Sequence, residues 1–138
     1  MGNTKKVTTR MVTDYDWEAT NAQGNTVKID MYPDEEKKHQ SPMDLVLSAV
    51  TSCAAVDLVQ MLKKRRRQVD NLVIEAEGHR MDTDPKYYHT IDMHFILTSP
   101  NATEEEMEKY TLLTVEKYCS VSSTMNSKLN VTTTVERP

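Results

Sequence analysis

Two cysteines, three glycines, one tryptophan and one phenylalanine are all that 138 residues supply of those types. Each shortage excludes something. Cys53 and Cys119 stand 66 positions apart, with no C-x-x-C pair and no Cys/His spacing of a zinc site. Two thiols are too few for a disulfide scaffold. The scarcity of glycine leaves no phosphate-binding loop, and no Ser-His-Asp constellation replaces it. Positive charge is also short: 17 Lys and Arg against 21 Asp and Glu give a net charge of −4. That balance argues against nucleic acid as a partner, since phosphate binding favours a basic domain. No apolar segment reaches the roughly 18 residues of a membrane span. The opening stretch MGNTKKVTTR lacks the apolar core of a secretory signal. The reading is a soluble cytoplasmic protein with no membrane partner. Residues 1–138 form one domain, long enough to bury a core. In a reducing compartment the two thiols are either inert core residues or one redox pair, and composition alone favours the inert reading, since free cysteine is among the most buried residue types.

What is present falls into clear periods. Residues 5–19 alternate with strand period, placing Val7, Thr9, Met11, Thr13, Tyr15 and Trp17 on one side. NAQGN (21–25) turns the chain into Thr26–Met31, where Val27, Ile29 and Met31 face inward, so a hairpin is expected. After a solvated loop, Ser41, Pro42 and Asp44 form a helix start: N-cap, first-turn proline and capping-box carboxylate. From Met43 the apolar residues follow helical spacing through Met61, and Leu45, Ala49, Val56 and Val59 make the other faces apolar too. A helix so apolar must be buried on most sides, by a sheet wrapped around it or by the same helix of a second copy; the homodimer is preferred. Lys63–Arg67 then reads as a helix terminus, with cations complementing the dipole.

Leu72–Met81 and Tyr87–Ser99 read as two further strands, the second with Tyr87, His89, Ile91, Met93, Phe95 and Leu97 on one side. Thr103 and Glu106 repeat the capping box before a helix through about Lys117. A second helical segment (118–128) carries Cys119, and Leu129–Val135 closes the chain as an edge strand. The order ββ-α-ββ-αα-β is an α+β fold. His39, His79, His89 and His94 are not spaced as a metal cluster, so no metal site and no organic cofactor are expected. The nine methionines mostly occupy core positions.

A nucleophilic thiol needs a helix N-terminus, a nearby cation or a metal to favour the thiolate. Cys53 lies about three turns into its helix, beyond the useful reach of the dipole. Asp57, four residues on, shares its face and when ionised disfavours a second negative charge. Activation of Cys53 therefore has to come through space, with Arg10 and Arg80 among the candidates.

The segments SPMDLVLSAVTSCAAVDLVQMLKKRRRQVDNLVIEAEGHR (41–80) and EKYCSVSSTMNSKLNVTTTVE (116–136) resemble the OsmC/Ohr family, in the same element order through nearly the whole chain. The marks are a proline-opened helix holding a cysteine and a second cysteine in a KYCSV segment before the last strand. The resemblance implies an intertwined homodimer, its long central helices buried together and wrapped by antiparallel sheets. It also implies a thiol-dependent peroxidase acting on organic hydroperoxides or hydrogen peroxide in oxidative stress, restored by a dithiol reductant. Cys53 would be the peroxidatic residue and Cys119 the resolving one. The family's peroxidases carry a Glu ten residues before the reactive cysteine, paired with an Arg. Here Met43 stands at that position with Asp44 beside it, as in a branch marked by SPM plus an acidic residue, and Arg10 is the nearest counterpart of the Arg. A non-catalytic small-molecule-binding or redox-sensing module on the same scaffold is the alternative.

Overall fold

The structure, a computed structural model, describes residues 3–138. Met1 and Gly2, the start of the segment tested for a secretory signal, lie outside the described residues. The chain divides into two units, the first ending at Val46 and the second running from Leu47 to Pro138.

The first unit is an antiparallel meander of β1 (Val7–Met11), β2 (Asp16–Asn21) and β3 (Thr26–Asp30). The single strand expected over 5–19 is thus two, folded back so that Met11 pairs with Trp17. Thr13 makes the reversal. Its Oγ1 accepts the backbone N–H groups of Tyr15 at 3.3 Å and Asp16 at 3.0 Å, and donates to Asp16 Oδ2 at 2.9 Å. Local hydroxyl bonding of this kind competes with a strand ladder, and alternation alone cannot reveal it. The second reversal comes at NAQGN, where Gly24 takes a φ of +88°.

The inward face also differs from expectation. Val7, Met11, Val27 and Met31 are exposed in the single chain, whereas Asp30 is fully buried. Its carboxylate accepts from Lys37 Nζ at 2.7 Å and from the backbone N–H groups of His39 at 2.7 Å, Lys38 at 2.9 Å and Tyr32 at 3.2 Å. The loop 31–39, which includes a short 3-10 turn at Asp34–Glu36, is wound around this one anion.

The long helix α1 (Pro42–Lys64) begins as its sequence predicts. Asp44 N–H donates to Ser41 Oγ and Ser41 N–H to Asp44 Oδ2, each at 3.1 Å. It ends where Arg66 takes a φ of +59° and Arg67 N–H reaches back to Leu62 O at 2.9 Å. Burial of α1 is narrower than expected. Val50, Ala54, Leu58 and Leu62 form one fully buried stripe, while Val56 is 61% exposed. One chain therefore covers a single face of a helix whose composition is apolar on several.

The second unit contains β4 (Asn71–Arg80), β5 (Tyr88–Thr98) and β6 (Lys128–Glu136). β4 and β5 pair antiparallel, but β6 runs parallel to β5, so this sheet is mixed where antiparallel sheets were expected. The helical crossover 104–124 between β5 and β6 permits the parallel pairing. That crossover comprises α2 (Glu104–Leu113), a π-helical turn (Thr114–Tyr118) and the short α3 (Ser120–Thr124). Thr103 and Glu106 form the second capping box. Arg67 clasps Glu106 through Nε and Nη2 at 2.8–3.0 Å, and the Arg65 guanidinium sits 5.4 Å from the Tyr110 ring centroid. The basic run thus ends α1 and ties it to α2, in keeping with its reading as a helix terminus.

Ile91, Met93, Phe95 and Leu97 form the buried row of β5, joined by Met107 and Tyr110 of α2. A bulge at His79/Arg80 moves the pairing from Thr90 to Tyr88, so Tyr88 is buried and Tyr87 and His89 are exposed, the reverse of the simple alternation. Gly78 accommodates this ring: a methyl group there would stand 2.6 Å from Tyr88 Cδ1. Tyr88 is buried and cannot swing away freely, so Gly78→Ala should destabilise the protein by about 1–3 kcal/mol. Denaturant unfolding would check this, and an unchanged midpoint would show that the ring yields.

Candidate active site

Cys53 sits in the middle of α1, half-buried, one turn beyond Val50. The hydroxyls beside it point elsewhere. Thr51 Oγ1 donates to Leu47 O at 2.9 Å and Ser52 Oγ to Ser48 O at 2.7 Å, turning both back onto the helix backbone. Neither competes for the sulfur.

Cys119 arrives from the crossover. Its N–H donates to Thr114 O at 2.8 Å, closing the π-helical turn, and the chain then leaves helical geometry at Cys119. Thr114 is buried and its Oγ1 contacts Met61 Sδ at 3.6 Å, fixing the turn against α1. The fully buried Cys119 thiol lies 4.0 Å from Val50 O, one turn before Cys53, and accepts the Ser122 N–H at 3.4 Å as the cap of α3. The expected helix through Lys117 and second segment carrying Cys119 are therefore separated by a π turn and a cap, with Cys119 at the junction. An extra residue in a helical turn leaves no mark in hydrophobic periodicity.

The structure thus brings together two thiols that are 66 positions apart in sequence. They are close enough for Cys119 to influence the ionisation of Cys53. The Cys53 thiol is pushed above its ordinary value, first by burial and then by the neighbouring Cys119. The backbone N–H groups of Val121 and Ser120 act in the opposite direction without reversing the shift. No cation stands among these influences. Asp44 is engaged in the capping box, Arg10 is exposed on β1, and Arg80 Nε donates to Lys86 O at 2.7 Å. One turn beyond Cys53, a pocket of about 400 Å³ opens between α1 and α2, lined by Asp57, Met61, Arg65, Tyr110 and Tyr118 among others.

Residues 33–134 match the family model described as OsmC-like protein. The chain belongs to the OsmC-like family. It is 32% identical over 99 residues to protein YhfA of Escherichia coli strain K12, covering 72% of this chain and 74% of YhfA. A hypothetical protein from Aquifex aeolicus VF5 shares the fold across 99% of this chain and 98% of its own, with a TM-score of 0.86 and 25% identity. OhrB of Bacillus subtilis, named an organic hydroperoxide resistance protein, shares it at TM-score 0.65 and 16% identity, over 97% of this chain and 98% of OhrB. The expected α+β, OsmC/Ohr-like architecture is therefore the observed one: two sheets and a long central helix. Within it α1 is a core helix. Its 23 residues include an 18-residue stretch of mean hydropathy 1.8, which reaches the length and composition of a membrane span, contrary to the expectation that no segment would.

Proposed function

We propose that this OsmC-like chain is a two-cysteine thiol peroxidase that reduces organic hydroperoxides or hydrogen peroxide as part of an oxidative stress response. The observation that carries the reading is the placement of a half-buried Cys53 beside a fully buried Cys119. Cys53 thiolate attacks the peroxide O–O bond, taking one oxygen to become sulfenic acid, and the alkoxide leaves as alcohol after gaining a proton. The Cys119 thiol then displaces that oxygen as water, forming a Cys53–Cys119 disulfide. A dithiol reductant returns both thiols in two exchange steps. The chemistry needs no metal and no organic cofactor. The pocket beside Asp57 and Tyr118 is a suitable place for the organic group of the peroxide.

The functional unit in this reading is one domain, residues 1–138, acting in the cytoplasm as a homodimer without nucleic-acid or membrane partners. Dimerisation would cover the faces of α1 and the residues Val7, Met11, Val27 and Met31 that one chain leaves in solvent.

The upward shift of the Cys53 thiol fixes the expected pH dependence. Only the thiolate attacks, so the oxidation rate should climb roughly tenfold per pH unit until the thiol pKa is passed. An ordinary cysteine, with a pKa near 8.5, levels off at about pH 9. Cys53 should still be accelerating there. Stopped-flow oxidation from pH 6 to 10 would check this, and a plateau below pH 7 would mean that a cation reaches the sulfur in the assembled protein.

That same raised thiol favours a second reading, a redox-sensing or small-molecule-binding module that does not turn over. Steady-state consumption of cumene hydroperoxide with dihydrolipoamide as reductant separates the two. The peroxidase reading expects many peroxides consumed per chain, and a single equivalent would leave the sensing module.

A further inference from the structure

Alternation along β4 and β5 sends most of their apolar residues to the core and leaves Glu75, Glu77, His79, Asp92 and His94 on the opposite face, with Val73 and Ile96 paired there too. Glu77 and Asp92 are directly opposed on these antiparallel strands. Like charges so placed repel, and among the described residues no lysine or arginine forms an ion pair with either carboxylate. The group that reaches both is His79, two residues from Glu77 on the same face. Its Nε2 lies 2.8 Å from Asp92 Oδ2 and 3.5 Å from Glu77 Oε1.

One ligand atom from each of the three residues lies within 4.8 Å of the others. An ion about 2.1 Å from each ligand needs those ligands about 3.0–3.4 Å apart. The two measured separations bracket that range. The third closes by rotation of Glu77, whose side chain is 79% exposed. Asp92 is already oriented: Asn130 Nδ2 donates to its Oδ1 at 2.8 Å, which leaves Oδ2 towards His79. Such outer-shell bonds hold a ligating carboxylate in place. The His89 ring stacks on His79 at 6.4 Å between centroids and is itself tied to Thr90 Oγ1 at 2.9 Å. Beside the cluster a surface pocket of about 450 Å³, bordered by Glu75, His94 and Thr132, leaves room for water in the remaining coordination positions.

We propose that Glu77, His79 and Asp92 form a binding site for one divalent transition-metal ion of the zinc class. Two carboxylates and an imidazole without a thiolate suit zinc, cobalt or nickel rather than copper(I). Three protein ligands, two of them exposed, bind an ion less tightly than a closed four-ligand structural site. An ion shared by the three side chains bridges β4 and β5 and so ties the two strands together. The site is separate from the cysteines and does not depend on the peroxidase reading. Spacing along the chain conceals it because the strand pairing, and not the sequence interval, brings Asp92 to the other two.

Calorimetric titration of reduced full-length protein with Zn²⁺ tests the site. One ion per chain is expected, with Tm raised in its presence. His79→Gln and Asp92→Asn should each weaken binding at least tenfold, while Cys53→Ser and Cys119→Ser change it less than twofold. Co²⁺ in place of Zn²⁺ should give visible ligand-field bands without the near-ultraviolet charge transfer of a thiolate. Glu77→Gln, at the most exposed position, provides an independent variant should Asp92→Asn disturb the sheet. Absence of saturable binding would overturn the proposal, as would binding lost with Cys53 and retained in His79→Gln.

Discussion

Cys53→Ser is expected to abolish hydroperoxide reduction, lowering turnover by roughly a thousandfold or more, because a serine hydroxyl does not ionise to a nucleophile as a thiol does and cannot be oxidised to a sulfenic acid. Cys119→Ser should behave differently. Cys53 still reacts once with peroxide, but no neighbouring thiol resolves the product, so sulfenic acid accumulates and a dimedone adduct forms on Cys53. The fold should survive this second change. Cys119 caps α3 by accepting the Ser122 N–H, and serine is a preferred residue at such a position. Steady-state peroxide consumption together with dimedone trapping checks both variants. Equal residual turnover in the two would remove the distinction between attacking and resolving roles. Loss of turnover in Cys119→Ser without a trapped adduct would instead assign the first attack to Cys119.

The largest stability effect is expected at Asp30. Its carboxylate is fully buried and accepts four hydrogen bonds, one of them from the Lys37 ammonium. Removing one partner of a buried pair leaves the other charge uncompensated and three backbone N–H groups without an acceptor. Asp30→Ala should therefore lower Tm by on the order of 10 °C. The pH dependence follows from the direction of the shift. Lys37, with help from the backbone N–H groups, holds the Asp30 carboxyl well below the usual carboxylate range. A depressed folded-state pKa contributes stability that is fully present above the unfolded value, near 4, and is lost as pH falls through the folded one. The Tm difference between wild type and Asp30→Ala should thus stay constant from pH 8 to about 5. It should shrink only in stronger acid. A difference that vanished already at pH 6 would show that the ion pair is not what holds the 31–39 loop.

The helix starts were the most legible part of the fold. Ser41 with Asp44 and Thr103 with Glu106 each carry a complete local signal, and both capping boxes form as read. The buried row Ile91, Met93, Phe95 and Leu97 was equally plain, since period-two alternation over a long strand has one solution. What escaped were local backbone choices that override a period. Thr13 folds one apparent strand into two, the bulge opposite His79 exchanges Tyr87 for Tyr88, and the π turn displaces Cys119 from its helix. Asp30 was assigned to the solvent side because nothing in an alternating pattern shows that a later loop will supply it with donors. The two cysteines were legible as positions through their family resemblance. Their proximity was implied only by that resemblance and not by their spacing, because it depends on how the crossover 104–124 returns to α1.

Peptide mass mapping after one equivalent of cumene hydroperoxide tests the central claim most directly. The account predicts that each chain loses two hydrogen atoms and yields a Cys53-containing peptide joined to a Cys119-containing peptide of the same chain, reversible by dithiothreitol. Two free thiols after that treatment would contradict it, as would Cys53 oxidised to sulfinic acid beside an unreacted Cys119.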